Sequence, residues 1–399
     1  MSTESSPPLE NPKMTPPLTR IVNDEAEFCE LRDPWNHLLK TSTADTVYLT
    51  WEWSHTWWEI FKEEKELFII LVEEGGRLIG IAPFYLSKSR FFGLRNLRHV
   101  ELLGSTDVCS EYLDLIILKG REPEVVCAVL NCLYRKQYRK WDVLNIVSML
   151  EDSPNWQWIK GYLRLHGHDY GVYDSREHLY IQLPDTMDEY MQMLDGKMRE
   201  GLRRKQKKLM RKYSINLTKQ AICEDIVSHF VTFLDLHAKR WSVKEGVIHA
   251  KNRSKHLAFH KKIVNLFCDN GWLCLVFLKA NEQTLAGQYD FVYGGTLYYH
   301  SVAFDPDWAH YSPGSVLLLM VLENAIEKKF SKFDFLRGME DYKAHWAKTS
   351  CRLVDAVVWR SSATRSVTNM ERKIRKSVKS FVPVEMGHKL YNRFFAGSS

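Results

Sequence analysis

The feature that most constrains the fold is a run of three strand-length segments in the second half of the chain. Residues 272–280, 284–293 and 296–304 are rich in aromatic and aliphatic residues, and short turns at 281–283 and 294–295 separate them. A helical pattern at 313–329 and a further strand at 332–336 follow. This order predicts a mixed α/β (α+β) fold, in which helices flank a mainly antiparallel sheet.

The length of 399 residues predicts two domains, because one hydrophobic core rarely serves so long a chain. The first half has a hairpin of its own around Gly75-Gly76, and residues 75–83 parallel the hairpin at 282–290. We therefore predict two similar units in tandem, a degenerate one at 19–175 and a second at 176–360. Residues 1–18, rich in Ser, Pro and Glu, are predicted to be disordered, and 361–399 to form a basic amphipathic tail.

Composition limits the class of protein. No apolar run approaches the roughly 20 residues that a membrane-spanning helix needs, and the N-terminal segment has no apolar stretch of the signal-peptide kind. We therefore expect a cytoplasmic protein, whose basic tail is a candidate contact to the inner face of a membrane. The eight cysteines include no CxxC pair, so no metal site is expected.

A turn between the third strand and the following helix is a candidate anion site. Ser312 is a favourable N-cap residue and Pro313 suits the first helical position. Gly314 and Ser315 keep bulk away from the free N–H groups of the first turn, where the helix dipole favours an anion. The pattern also fits an ordinary helix start, and both readings stay open on local chemistry alone.

Both halves of the chain carry distinctive motifs. Those in the second half are Leu285-Ala286-Gly287, Gly295 to His300, Tyr311 to Leu318, Phe333 to Gly338, Glu340, Tyr342-Lys343 and Trp346. Those in the first half are Trp51-Glu52-Trp53, Gly80 to Phe84 and Tyr112-Leu113-Asp114. Together these motifs resemble the GNAT-like acetyltransferase domain of cellulose-biosynthesis proteins of the CelD type, which are distant relatives of the Fem peptidoglycan aminoacyltransferases. The resemblance covers most of residues 45–360.

The resemblance implies two GNAT-like units, a thioester donor such as acetyl-CoA or another acyl-CoA, and acyl transfer to a small-molecule or saccharide amine, in polysaccharide or envelope synthesis. The coenzyme A pyrophosphate would then lie on the turn formed by Tyr311, Ser312, Gly314, Ser315 and Val316. The turn departs from ordinary GNAT enzymes, which carry a basic or Gln residue and two or three Gly there. Two alternatives are an aminoacyl-tRNA donor, as in Fem relatives, and a non-catalytic scaffold.

Acyl transfer to an amine needs a neutral amine, a polarised carbonyl and a protonated leaving thiolate. His300 is the candidate base, Asp334 its substitute or orienting group, and Tyr299 or Tyr342 the acid. Arg337 is a candidate for binding an anionic acceptor.

Two further candidates come from the resemblance to the Fem enzymes, which have a Lys followed three residues later by an aromatic residue. Lys343 and Trp346 occupy those positions here. Lys343 would stabilise a developing oxyanion or hold an acceptor phosphate, and Trp346 is a substrate-binding candidate.

A strongly basic helix is predicted at 187–213. Residues 197–212 contain nine cations and one Glu, and its apolar positions fall on one face. The cations form either a solvated face or a contact to an anionic partner, such as a sugar nucleotide, RNA or lipid headgroups. Nucleic acid is the less expected partner.

Overall fold

The computed structural model describes residues 17–91, 95–219, 225–242, 253–338 and 340–370. The first half comprises β1 (Leu18–Val22), α1 (Glu25–Glu30), α2 (Arg32–Lys40), α3 (Trp51–Phe61), β2 (Glu66–Leu67), β3 (Ile69–Glu74), β4 (Arg77–Ala82), β5 (Phe84–Phe91), β6 (Arg95–Leu102), β7 (Ile116–Ile117), α4 (Glu122–Asn131), β8 (Val143–Leu150), α5 (Pro154–Leu165) and β9 (Tyr170–Gln182).

Two helices connect the halves, α6 (Met187–Met193) and α7 (Gly196–Met210). The second half comprises β10 (Ile215–Lys219), α8 (Ile226–Ser242), α9 (Arg253–Asp269), β11 (Leu273–Ala280), β12 (Gln283–Tyr293), β13 (Thr296–Phe304), α10 (Pro313–Glu327), β14 (Lys332–Asp334), α11 (Asp341–Trp346) and β15 (Thr349–Trp359). The predicted mixed α/β fold with a mainly antiparallel sheet and flanking helices is confirmed.

The two halves repeat one order of elements. Each begins with a strand and a set of helices, continues with antiparallel strands, and then has a helix, a strand, a second helix and a last strand. In the first half the antiparallel strands are divided between two sheets, and the short β7 precedes the helix. The strand after the first of these helices pairs in parallel with the end of the meander in both halves, β8 with β6 and β14 with β13. We call the two halves the N-terminal and C-terminal repeats, and α6 and α7 lie between them without a counterpart.

The last strand of each repeat pairs with the other repeat. β9 pairs with β14 and β15 pairs with β8, while β9 and β15 also pair with each other. The result is an eleven-stranded sheet in the order β10-β11-β12-β13-β14-β9-β15-β8-β6-β5-β2, beside a four-stranded sheet β1-β3-β4-β7. The predicted boundary between residues 175 and 176 lies inside β9.

The repeats also share one hydrophobic core. Trp53 of α3 packs edge-on against Phe259 of α9 at 4.9 Å and against Phe291 of β12 at 5.7 Å between ring centroids. This shared cluster includes buried residues of both repeats, whereas a second cluster lies within residues 179–347 and is almost wholly C-terminal. The division at 19–175 and 176–360 remains a prediction.

Some predicted bounds need correction. The single helix expected at 187–213 is interrupted at Leu194, whose extended backbone separates α6 from α7. The apolar segment 112–118 forms a strand only at β7, and Tyr112 before it has a positive φ that breaks extended pairing. Residues 1–16 of the predicted disordered segment lie outside the described residues, and β1 begins at Leu18. The predicted tail lies outside the described residues from 371 onward. Among the described helices, none combines the length and hydropathy required of a membrane span.

Candidate active site

The candidate cleft is the region where the pairing of β13 with β14 ends. The two strands pair only from Thr296 to Tyr298 and from Lys332 to Asp334. At that point β13 has a β-bulge, since Asp290 of β12 alone faces Tyr299 and His300. A bulge bends its strand and increases the local twist. The bulge therefore bends β13 where it leaves β14, and the far end of β13 lies close to the start of α10, since Phe304 borders Gly314.

Asp290 is the most unusual group at the bulge. Its side chain is fully buried, and Oδ1 accepts a hydrogen bond from the His300 N–H at 3.1 Å. Its Oδ2 has no hydrogen-bond partner among the described residues. Burial raises the pKa of this carboxyl well above its usual range. Sequence reasoning missed Asp290, although an Asp within the apolar run of β12 was the signal that singled out Asp334.

Tyr299 and Tyr342 form a pair at the cleft. Tyr299 is buried against Phe333 and Phe335, whereas the Tyr342 side chain is 39% exposed. The two hydroxyls interact, and both rings lie within electrostatic range of Asp290. Burial raises the pKa of both hydroxyls, so each keeps its proton at neutral pH. Tyr342 is thus placed as a proton donor with access to solvent.

His300 lies on the other side of β13. Its ring packs against His260 of α9 at 5.3 Å, and His260 lies 4.4 Å from His256. Burial lowers the pKa of His300 to about 3, with smaller contributions from His256 and Arg337. A base is most effective when its pKa lies near the working pH. His300 therefore remains neutral and is a weak base in this environment.

The predicted donor turn begins α10, but few of its N–H groups are free. Ser312 adopts a left-handed conformation (φ 54°), and its side chain makes no capping hydrogen bond, contrary to the expected N-cap. The Ser315 and Val316 N–H groups both donate to the Ser312 carbonyl. Pro313 has no N–H. Among the N–H groups of Gly314, Ser315 and Val316, that of Gly314 is therefore the one without a hydrogen bond to a described residue.

Basic helix α7 packs beside this turn. Lys208 Nζ donates to the His310 carbonyl at 3.2 Å and lies 4.9 Å from the centroid of the Tyr311 ring. This part of the helix carries four further cations: Arg203, Arg204, Lys205 and Lys207. They make no ion pair with any described acidic residue, and all of them except Lys205 are exposed. The positive charge that the turn lacks is therefore supplied by α7.

Asp334 already has three partners in the structure. Tyr112 of the N-terminal repeat donates to Oδ2 at 2.7 Å, Lys332 Nζ lies 2.7 Å from the same oxygen, and the Leu336 N–H donates to Oδ1 at 2.9 Å. These bonds satisfy a fully buried carboxylate. Asp334 thus joins the two repeats, and it is placed as a structural residue more than as a base.

Lys343 is buried below the cleft with only 4% of its surface exposed. Its Nζ donates to the Phe335 and Arg337 carbonyls at 3.1 and 2.6 Å and pairs with Glu340 at 2.9 Å. An ammonium group has three hydrogens, so none is left for an oxyanion. Trp346 is also buried, and its carbonyl accepts from Tyr190 at 3.1 Å, so its ring belongs to the core.

Arg337 is fixed at one end and open to solvent at the other. Its Nε donates to Glu111 of the N-terminal repeat, and 41% of its side chain is exposed. The structure thus brings Tyr299 and Tyr342 together, places Arg337 near His300, and buries Lys343 and Trp346. Across the described ranges, no three His, Cys, Asp or Glu side chains are arranged to hold a metal ion.

Comparison with known proteins agrees with this geometry. Residues 196–344 match the acetyltransferase (GNAT) domain family. The crystal structure of FemX superposes with a TM-score of 0.56 at 11% identity, covering 84% of this chain and 96% of FemX. The C-terminal domain of a putative lysylphosphatidylglycerol synthetase from Agrobacterium fabrum gives a TM-score of 0.50 at 10% identity, covering 88% and 97% of the two chains. None of the curated proteins matches the sequence. Tyr299, Arg337 and Tyr342 therefore lie in a segment that is similar to the GNAT acetyltransferase domain family, within a fold similar to that of FemX.

Proposed function

We propose that this protein is an N-acyltransferase that moves an acyl group from acetyl-CoA or a longer acyl-CoA to an amine acceptor. The observation that carries the proposal is the cleft at the β13 bulge, which lies beside the start of α10 and the cations of α7. The thioester would lie in this cleft, with its phosphates against α7. A helix start with few free N–H groups needs such cations to hold a polyanion.

The chemistry assigned to the cleft is direct aminolysis. The neutral amine nitrogen attacks the thioester carbonyl carbon, the C–S bond breaks, and the thiolate takes up the proton that the amine loses. Tyr342 is the proposed donor of a proton to the thiolate, because its hydroxyl is protonated at neutral pH and reaches the solvent side of the cleft. Asp290 is the proposed proton-exchange partner of the Tyr299–Tyr342 pair, through its unpartnered Oδ2.

Thermal unfolding tests the donor. A ligand that binds only the native state stabilises it, by about 2.7 kcal/mol at a hundred times its Kd. We expect acetyl-CoA, a longer acyl-CoA and free CoA to raise Tm. Gly314→Glu should abolish the shift, because it adds negative charge to the turn. Gly314→Ala should keep it, since the added Cβ would meet Phe304 at an ordinary 3.6 Å. A shift that survives Gly314→Glu refutes the donor site.

One observation favours a second donor, an aminoacyl-tRNA. The exposed α7 cations Arg203, Arg204 and Lys207 have no acidic partner among the described residues, and Arg203 and Lys207 lie one turn apart on the same face. Such cations suit contacts to an RNA backbone. Binding of tRNA that weakens steeply with salt, together with no Tm shift with any CoA, would replace the first proposal. No response to either ligand would favour a non-catalytic scaffold.

The acceptor and its setting belong to the same proposal. A saccharide amine in polysaccharide or envelope synthesis follows from the resemblance to CelD-type domains. A position at the inner face of a membrane would depend on the tail beyond residue 370. The acceptor class is tested by offering a panel of amino sugars and measuring acyl transfer as the release of free CoA thiol.

A further inference from the structure

A loop of the N-terminal repeat closes that repeat's own cleft. Residues 104–115, which we call the bridging loop, follow β6 and precede β7. β6 and β8 pair only at two positions, His99 with Val143 and Val100 with Leu144. Beyond them the bridging loop lies on β8, where the Leu113 N–H donates to the Ser148 carbonyl at 3.1 Å. The position equivalent to the open cleft of the C-terminal repeat is therefore filled.

The bridging loop has an uncommon backbone. Asp107, Cys109 and Tyr112 have φ values of 70°, 54° and 57°, a region that side chains other than glycine seldom adopt. The loop is held by Trp53, which donates to Ser110 Oγ at 2.8 Å, and by the Tyr112 bond to Asp334. Strained residues cluster where a side chain must be held in one direction. Here Cys109 and Tyr112 bracket Glu111.

Glu111 is a buried carboxylate with a single strong partner. It is 1% exposed, and Oε1 accepts from Arg337 Nε. Its Oε2 has no hydrogen bond to a described residue, and His178 Nε2 lies 3.8 Å from it. Burial raises the pKa of Glu111, and Arg337 opposes that shift. A buried carboxylate is expensive to keep, so a purely structural position would more easily hold an apolar residue.

Arg337 has one free edge, and 41% of its side chain is exposed. Nε is held by Glu111 and Nη2 contacts the Ser110 carbonyl at 3.4 Å, while Nη1 makes no hydrogen bond to a described residue. The guanidinium is close enough to His300 to lower the pKa of that ring. A fixed guanidinium edge matches the two oxygens of a carboxylate or phosphate.

We propose that Glu111 is a positioning residue that holds Arg337 so that its free edge binds a carboxylate or phosphate on the amine acceptor. The N-terminal repeat thereby supplies one wall of the acceptor site. The inference rests on the proposed function, because only an acyltransferase has an amine acceptor. Binding of the anion itself can be measured without any donor.

The experiment uses three amino sugars that differ only at carbon 6: glucosamine, glucosamine 6-phosphate and 2-amino-2-deoxyglucuronic acid. Their Kd values for the full chain are measured by calorimetric titration in low-salt buffer. We expect at least one anionic sugar to bind ten times more tightly than glucosamine, and which one does so distinguishes phosphate from carboxylate. Arg337→Ala should remove the preference, and Glu111→Gln should reduce it about fivefold, without changing the Kd of glucosamine.

A matched control is the Glu74–Arg121 pair of the N-terminal repeat, which has bonds of 2.7 and 2.8 Å. Glu74→Gln should leave all three Kd values unchanged. With acetyl-CoA present, Glu111→Gln should raise KM for the anionic sugar more than KM for glucosamine, whereas Glu74→Gln should change neither. Absence of anion preference in the wild type, or a full preference in Arg337→Ala or Glu111→Gln, overturns the inference. Anion preference without acyl transfer instead refutes the proposed function alone.

Discussion

Replacing Lys343 with Met separates a structural role from a catalytic one. Methionine keeps the length and apolar packing of the lysine stem but removes the ammonium. In the native structure that ammonium donates to the Phe335 and Arg337 carbonyls and pairs with Glu340. We expect Lys343→Met to lower the free energy of unfolding strongly while leaving the chemistry of the remaining folded molecules intact.

The magnitude follows from the three contacts. A hydrogen bond from a charged donor contributes about 1.5–3 kcal/mol, so loss of the two carbonyl bonds costs at least about 3 kcal/mol. The Glu340 contact adds little, because the Glu340 side chain is 55% exposed and regains water, and exposed pairs contribute about 0–1 kcal/mol. The expected loss is therefore about 3–4 kcal/mol.

The assay is urea unfolding at neutral pH, followed by tryptophan fluorescence, together with kcat for acyl transfer measured well below the midpoint. Lys348→Met is the matched control, since Lys348 is 58% exposed and its Nζ contacts Asp195 at 3.5 Å and the Ala344 carbonyl at 3.2 Å, where water can replace it. The control should shift the free energy of unfolding by less than about 1 kcal/mol. A Lys343→Met protein with wild-type stability and a kcat reduced a hundredfold would refute this reasoning and restore the oxyanion role.

Three further predictions concern the site and its supports. Tyr112→Phe should lower the free energy of unfolding by about 1–2 kcal/mol in urea, because buried Asp334 loses one hydrogen bond; an unchanged midpoint contradicts the link between repeats. Asp290→Asn should reduce kcat about a hundredfold with unchanged CoA binding, since Asn accepts the same N–H but exchanges no proton; a wild-type kcat excludes the proton role. Burial lowers the pKa of His178 to about 4 and that of His300 to about 3, whereas both are near 6.5 in the unfolded chain. The free energy of unfolding should therefore fall as pH drops from about 6.5 towards 4, because the unfolded chain binds protons that the folded chain does not. Equal urea midpoints at pH 7.5 and pH 5 would contradict this prediction.

Local patterns in the sequence predict the C-terminal meander closely. The expected strands at 272–280, 284–293 and 296–304 correspond to β11, β12 and β13 within one residue at each end. The agreement has a physical cause, because hairpin strands pair with their sequence neighbours and Gly294-Gly295 takes the positive φ that the turn needs. The helix at 313–329 and the strand at 332–336 are likewise recovered as α10 and β14, each two residues shorter.

The exchange of last strands is not predictable from such patterns. Residues 170–177 of β9 are mostly polar and show no alternation of apolar and polar side chains. They pair with β15 through backbone bonds and much of their surface stays exposed, so this part of the strand needs no apolar face. β15 begins at Thr349 rather than 353, since its first residues are recruited by β9. Pairing between segments so distant in sequence depends on the whole fold, and local propensity carries no information about it.

The roles of candidate site residues are limited in the same way. A buried Asp at 334 signals a required partner, but the partner, Tyr112, is 222 positions away and contributed by the other repeat. Lys343 shows the converse, since the acceptors of its ammonium are carbonyls that no residue type reveals. Asp290 is the case where sequence reasoning had the signal, because an acidic residue inside an apolar strand is costly wherever it occurs.

The two repeats differ in a way that explains why one cleft is open and the other filled. In the N-terminal repeat the helix after the meander carries Glu122 and Glu124 in its first turn, and Arg121 before it is bound to Glu74. Carboxylates at a helix start repel phosphates, so this repeat has no use for an open donor cleft. The bridging loop occupies that space. In this position its Glu111 side chain reaches Arg337 of the C-terminal repeat and accepts a hydrogen bond from it. Under the proposed function, the same loop would therefore both remove the donor site of one repeat and complete the acceptor wall of the other.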